Sequence, residues 1–339
     1  MRNLWSPGLM AGLFIAVMGC KLPVARSAEP VRRGILVLDD CDPDYKGKEN
    51  YKDNLTLIDP EKGSVTFRLS GFNHCQAIGS NHVIAADSKR GSIWLVESVA
   101  KRLRKFDLAG EEIFEVPELQ MSAISVDPET GNLWILVTTG TIHGSETFII
   151  SPDGKLLNRH EFSGWDIAYD TKEKAFWIVS NRIMKVDARN QKVLVDEPVA
   201  PWCASSLAVH PVTGKVWVAA RKHPDVRESK NAILRLSTEG KVEQSIPLDD
   251  DSPFHVSISE KTGSVWVTFL RRGVRSYSSD GKPERFHKAE ALAACPDPET
   301  NDVWIATPED LQCRSPEDKV LKTVRHVSKT SQVWMSGLE

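Results

Sequence analysis

Six stretches of the chain decide its fold: DSKRGSIWLV (87–96), DPETGNLWIL (127–136), DTKEKAFWIV (170–179), HPVTGKVWVA (210–219), SEKTGSVWVT (259–268) and DPETNDVWIA (297–306). In each, a turn-opening Asp, His or Ser stands seven residues before a tryptophan that has a bulky apolar residue on either side. The tryptophans are Trp94, Trp134, Trp177, Trp217, Trp266 and Trp304, spaced 40, 43, 40, 49 and 38 residues apart. Three residues before them come Gly91, Gly131, Lys174, Gly214, Gly263 and Asn301. A repeat of this length, built on a turn and an aromatic anchor, is the signature of an array of small sheets.

Each stretch reads as a β-hairpin. An apolar run such as VIAA (83–86), AISV (123–126) or SLAV (206–209) precedes the turn and suits a strand buried on both faces. Pro at the second turn position pre-sets φ, and Gly or Asn supplies the left-handed residue that closes the turn. Lys174 has a Cβ at that position, so a distorted turn is expected there, at a cost of roughly 1–2 kcal/mol.

A second hairpin turn follows each tryptophan: DLAGE (107–111), SPDGK (151–155), DARNQ (187–191), STEGK (237–241), SSDGK (278–282) and SPEDK (315–319). A seventh, DPEKG (59–63), has no tryptophan hairpin before it and follows a lone strand, GILVLDD (34–40). At the other end SQVWMSG (331–337) is a lone strand with nothing after it. Each full unit therefore has four strands, A to D, and a single four-stranded sheet leaves two raw edges that radial packing removes. The sequence predicts an all-β, seven-bladed β-propeller of four-stranded antiparallel blades. Strands B, C and D of the first blade come from the N-terminus and strand A from the C-terminus, a clasp across the ring. Trp334 then lies on an inner strand and is not a seventh copy of the motif. Trp304 to Trp334 is too short a distance for an eighth blade.

The chain of 339 residues is thus expected to hold one domain over 31–339, behind a leader over 1–27. Forty-three Lys and Arg against 46 Asp and Glu give a net charge of −3, which is unsuited to a general nucleic-acid binder. The 41% hydrophobic content excludes wholesale disorder. The one long apolar run, LMAGLFIAVMG (9–19), is too short to span a bilayer and fits a secretory signal. Two exits are open: a lipobox-like VMGC (17–20) that would lipidate Cys20, or ordinary cleavage at the small residues of ARSA (25–28). Either places the mature chain outside the cytoplasm (periplasmic, secreted or lipid-anchored), with the membrane reached only through an anchor on Cys20. Such compartments permit disulfides, and Cys41 and Cys75, both at the same end of the ring, are the expected pair.

The apolar-(D/H)P-x-T-G-x-(V/L)-W-(V/I) pattern over about 31–339 resembles the NHL and YVTN-type propellers, and the streptogramin-lyase and gluconolactonase-like superfamily beside them. That resemblance implies the propeller fold. It also implies that activity, where there is any, gathers at the mouth of the central channel, with a divalent metal or a His–Glu pair in the enzymes. No catalytic residue matches those families position by position.

The D-to-A and B-to-C connections of a propeller meet at one end, here termed the top. Five residues before each turn opener the blades present His82, Ser122, Trp165, Ser205, Phe254 and Leu292 there, with His74, Asp166, Trp202 and His255 close by. Trp165, Trp202 and Phe254 fall on three consecutive blades and exceed what the repeat needs. Aromatics at a mouth stack on sugars, peptides or planar ligands, or simply cap the channel. The adjoining loops RKHPDVRESK (221–230) and RRGVR (271–275) are basic, and Arg221, Arg271 and Arg272 would attract an anionic ligand or an acidic protein surface. His74, His82 and His255 are the only set that could converge on a transition metal. Asp40, Asp42 and Asp44 alternate like the start of a calcium loop, but Gly47 is misplaced and the distal Glu is missing.

The sequence therefore predicts a binding or scaffold propeller without a cofactor, engaging a protein, carbohydrate or anionic ligand through Trp165, Asp166, Trp202, Arg221, Phe254, His255, Arg271 and Arg272. The alternative is a metal-dependent hydrolase or lyase acting at the channel mouth.

Overall fold

The computed structural model describes residues 34–39, 53–72, 83–97, 100–117, 121–138, 145–162, 164–222, 230–248, 251–269, 271–297, 299–326 and 333–338. These residues form seven four-stranded sheets, every neighbouring pair antiparallel. Blade 1 pairs Val333–Leu338 with Gly34–Asp39, then Asp53–Asp59 and Ser64–Phe72. The inner strands of blades 2 to 7 are Ile84–Asp87, Met121–Val126, Asp166–Asp170, Trp202–Val209, Pro253–Ile258 and Ala293–Pro296. Each inner strand packs on the next, and Val333–Leu338 touches the inner strands of blades 7 and 2, so the ring closes. The two ends of the described chain share one sheet, with Leu38 opposite Trp334.

The six tryptophans of the repeat are all buried, none more than 3% exposed. Each is the second or third residue of strand B, facing strand C. There Lys105 stands opposite Trp94, Lys185 opposite Trp177 and Arg235 opposite Trp217. The cations lie over the indoles at 4.7, 4.9 and 5.9 Å from the ring centroids. A buried ammonium still needs acceptors, and these side chains find them in the C-to-D turn of the next blade. Lys105 Nζ donates to Pro152 O (2.7 Å), Lys185 Nζ to Thr238 O (3.2 Å) and an Arg235 Nη to Ser279 O (3.0 Å). In blade 7 Cys313 stands opposite Trp304, and Lys322 on strand D makes the link across the closure instead, donating to Pro60 O and Glu61 O. The anchor that packs a blade internally also ties it to its neighbour.

The C-to-D turns nest against strand D of the preceding blade, which leaves little room at the left-handed residue. A Cβ on Gly154 (φ +84°) would come within 2.8 Å of Phe114. Two turns have no glycine there: Gln191 at φ +60° and Asp318 at φ +64°. Both use the side chain that the position disfavours. Gln191 Oε1 meets His160 Nε2 at 2.9 Å, and Asp318 Oδ1 meets His287 Nδ1 at 2.6 Å, each histidine ending strand D of the preceding blade.

The A-to-B turns of blades 3 to 6 behave alike, and the distortion expected at Lys174 is absent, whereas in blade 7 Asn301 does not take the left-handed conformation expected of it. Its N–H donates to Asp170 O at 2.8 Å, as Gly214 does to His210 O and Gly263 to Ser259 O. Lys174 simply takes φ +54°, and its ammonium pairs with Glu129 of the neighbouring blade at 2.6 Å. The turn is held by its opener, since Asp170 Oδ1 accepts both Lys172 N and Glu173 N at 3.0 Å. His210 does the same with a ring nitrogen: Nδ1 accepts from Val212 N (3.2 Å) and Thr213 N (3.3 Å).

Candidate functional site at the top of the ring

The residues five before each turn opener occupy a special place in the sheets. In blades 3, 5 and 6 the A-to-B register skips between Met121 and Ala123, Ala204 and Ser206, and Pro253 and His255. Ser122, Ser205 and Phe254 are therefore the extra residues of β-bulges. In blade 4 Trp165 N donates to Val179 O (2.7 Å), while Val179 is already paired with Asp166, so Trp165 stands just ahead of the ladder. A bulge re-aims a side chain out of the strand's alternation. Here that happens repeatedly at the top rim of the inner ring.

Below the rim, polar groups link inner strands across blades. Asp166, fully buried, accepts Leu207 N through Oδ2 at 3.0 Å. Ser206 Oγ accepts Val256 N at 3.3 Å, and Ser257 Oγ donates to Ala294 O at 3.2 Å. These bonds hold blades 4 to 7 in register, so the aromatic residues above them rest on a fixed platform. Asp166 sits beside the candidate surface and serves its foundation.

Trp165 is 45% exposed. Trp202 is half-buried, stands opposite Lys222, and donates its indole N–H to Lys230 O (3.0 Å). Arg221, opposite Cys203 on strand B of blade 5, crosses to blade 6 and lies over the Phe254 ring, 5.8 Å from its centroid. Burial holds the Arg221 guanidinium below its ordinary pKa, with no carboxylate among the described residues offsetting the loss of hydration. The other basic residues differ: Arg272 is paired with Asp251 at 2.8 Å. Arg271 is exposed at φ +59°, its N–H bonded to Ala291 O. Thus Arg221 and Phe254 come together at the blade 5–6 junction, whereas Trp202 packs on the blade 4 side of its strand, against the cluster that holds Trp177 and Val199, and Trp165 stands just ahead of the inner strand of blade 4.

His255, 7% exposed, points into the central channel, a cavity of about 410 Å³. Other polar lining comes from Tyr169 and Ser257, and from Ser88, Thr171 and Glu260 of the A-to-B turns at the end opposite the top. Burial, reinforced by the charges of Asp127 and Glu129, raises the Tyr169 pKa, so its phenol is neutral. His74, His82, Cys20, Cys41 and Cys75 lie outside the described residues. Among those described, no three His, Cys, Asp or Glu side chains gather as a metal would need. The Cys313 thiol, pushed up to about 12 chiefly by burial, is unsuited to nucleophilic work.

Sequence reasoning placed Arg221 and Phe254 at one end of the ring but missed their pairing. The signal was present in part: Arg221 stands before the B-to-C connection of blade 5 and Phe254 after the connection into blade 6, both at the top, yet only the angle between blades 5 and 6 brings them together.

No family model matches the chain, and no curated protein does. Among solved structures it is similar to one described as a streptogramin B lyase structure, with a TM-score of 0.57 and 13% identity. That likeness covers 76% of this chain and 87% of the other. At this identity the comparison shows the shared fold alone: the chain is a seven-bladed β-propeller of the kind that streptogramin B lyase also adopts.

Proposed function

We propose that the protein is an extracytoplasmic binding propeller whose top face, over blades 4 to 6, engages a carbohydrate, a protein segment or an anionic ligand. The observation that carries this reading is the cation–aromatic cluster there: Arg221 over Phe254, with Trp202 on the adjoining strand and Trp165 exposed one blade away. A merely solvated arginine has no need of a partly dehydrated place over an aromatic bulge residue, whereas a recognition surface gains flat apolar area with directional donors. The leader over 1–27 supports the location.

The test is titration of defined glycan and peptide panels, read by intrinsic tryptophan fluorescence, with Trp165→Ala and Trp202→Ala alongside. Binding that weakens about tenfold or more in either variant supports the face. Binding unchanged in both, with intact folds, rejects it.

The second reading, a hydrolase or lyase at the channel mouth, draws on His255 lining the cavity. Turnover of lactone or cyclic-ester substrates that disappears in His255→Asn would favour it, as would a stoichiometric divalent metal in the native protein.

A further inference from the structure

The central cavity has two unlike ends. The bulge residues Ser122, Ser205 and Phe254 of the top rim are not part of its wall, which reaches no higher than His255. Its lower end opens among the A-to-B turns, where the residue after the opener faces the mouth: Ser88, Pro128, Thr171, Pro211 and Glu260. One step deeper, near the ends of the inner strands, stand Val126, Tyr169, Val209, Ile258 and Pro296, and deeper still the small Ala168 and Ala208 leave space open. The result is an apolar well of about 410 Å³, inside the roughly 300–1,000 Å³ range of small-molecule sites.

The charge lining the mouth of this well has one sign. Glu260 is the only charged side chain of the described lining, and it is exposed. The lysines of the neighbouring turns are engaged elsewhere: Lys172 Nζ donates to Thr213 O (3.1 Å) and Lys261 Nζ to Glu299 O, while Lys174 pairs with Glu129. Beside Lys89 it is Ser88 that reaches the wall. Two blades from Glu260, the Tyr169 phenol is raised in pKa first by burial and then by the negative charges of Asp127 and Glu129, with Arg189 opposing. That phenol stays neutral and offers a flat apolar ring where the local field is negative.

We infer that the lower end of the channel binds a small amine with an apolar body, the body in the well and the ammonium at the mouth between Glu260 and Tyr169. The site lies at the opposite end of the ring from the face proposed above and does not depend on it. Burying the body against valine, isoleucine, alanine and proline is favourable. The ammonium keeps its contact with water at the open mouth, is attracted by the Glu260 carboxylate and rests against the Tyr169 ring. A carboxylate head would meet charge of its own sign there. A bare cation would not be held, since an exposed carboxylate alone contributes little.

The experiment titrates the intact protein with 2-phenylethylamine, 2-phenylethanol, 3-phenylpropionate and ethylamine at fixed ionic strength, followed by calorimetry. The aryl probes share a body and differ in the head, and ethylamine carries the head on a minimal body. Phenylethylamine should bind saturably and tightest, the alcohol severalfold weaker, and the acid and ethylamine about tenfold weaker or more. Glu260→Gln, in an exposed turn, should weaken amine binding about two- to fivefold and leave the alcohol unchanged. Ala208→Phe fills the well and should abolish binding of both; should it fail to fold, Glu260→Gln still decides. No saturable binding of phenylethylamine, an acid or ethylamine that binds as well, or amine binding unchanged in Glu260→Gln would each overturn the inference. So would amine binding lost in Trp165→Ala but kept in Ala208→Phe, which would assign the amine to the top face. Amine binding that survives Trp165→Ala and is lost in Ala208→Phe supports the lower site, whatever the top face binds.

Discussion

His326 Nδ1 stands 2.9 Å from Asp39 Oδ2, and each of the two side chains is only 1% exposed. His326 directly follows the last strand of blade 7 and Asp39 ends the first described strand of blade 1, so the pair bridges the closure of the ring. Asp39 Oδ1 also accepts from Asn54 Nδ2 (3.0 Å), and His326 Nε2 faces Thr307 O at 3.1 Å. Each polar atom of the pair has a partner, which a buried polar group requires. Replacing His326 with Ala removes one hydrogen-bond partner of the buried Asp39 carboxylate. The expected loss is about 1–3 kcal/mol, visible as a lower denaturant midpoint. An unchanged midpoint would mean that the closure relies on backbone pairing alone.

His210 predicts a pH dependence. Burial, against a smaller opposing hydrogen bond, holds its pKa below the ordinary 6.5, and Nδ1 must stay unprotonated to accept two turn N–H groups. Below pH 6.5 the unfolded chain takes up a proton that the folded one refuses, so stability is full above 6.5 and falls as the pH drops toward the lowered folded value. His210→Asp restores an opener found in other turns and should flatten the melting-temperature profile between pH 7.5 and 5. An equal slope in both proteins would show that other groups cause it.

Asp318 acts lower on the scale. Burial pushes its carboxyl up, but hydrogen bonds from His287 and Arg314 outweigh that and hold it below 3.8. Its stabilisation is present above 3.8 and lost as the pH falls through the folded value. Asp318→Gly relieves the left-handed backbone but strips the buried His287 of its partner. A net loss of about 1–3 kcal/mol at neutral pH is expected, measured by chemical denaturation.

Lys174→Gly separates strain from pairing. Glycine accepts φ +54° without penalty, while the exposed pair with Glu129 is worth little. The variant should be more stable than wild type by up to about 1 kcal/mol, and a lower melting temperature would show that the Glu129 contact outweighs backbone strain.

The blade count and the strand order were legible because they are written in local chemistry. Turn openers, left-handed glycines and the tryptophan two or three residues into strand B act within a single hairpin, and a repeat displays them six times. The unpaired strands at 34–40 and 331–337 likewise required a shared sheet. Lys174 shows the boundary of that reasoning, because propensity marked a misfit that the opener's hydrogen bonds and a neighbouring glutamate absorb.

What the chain alone could not determine lies between blades. Lys105 and Pro152, Asp166 and Leu207, Arg221 and Phe254, or Asp39 and His326 share no spacing rule, and each pair meets only after the sheets have twisted and closed into a ring. Local sequence sets which residues reach the rim, since a β-bulge is a property of one strand pair. Which of them face each other, and which charge is left without a partner, depends on the angle between neighbouring sheets, and that angle exists only in the assembled ring.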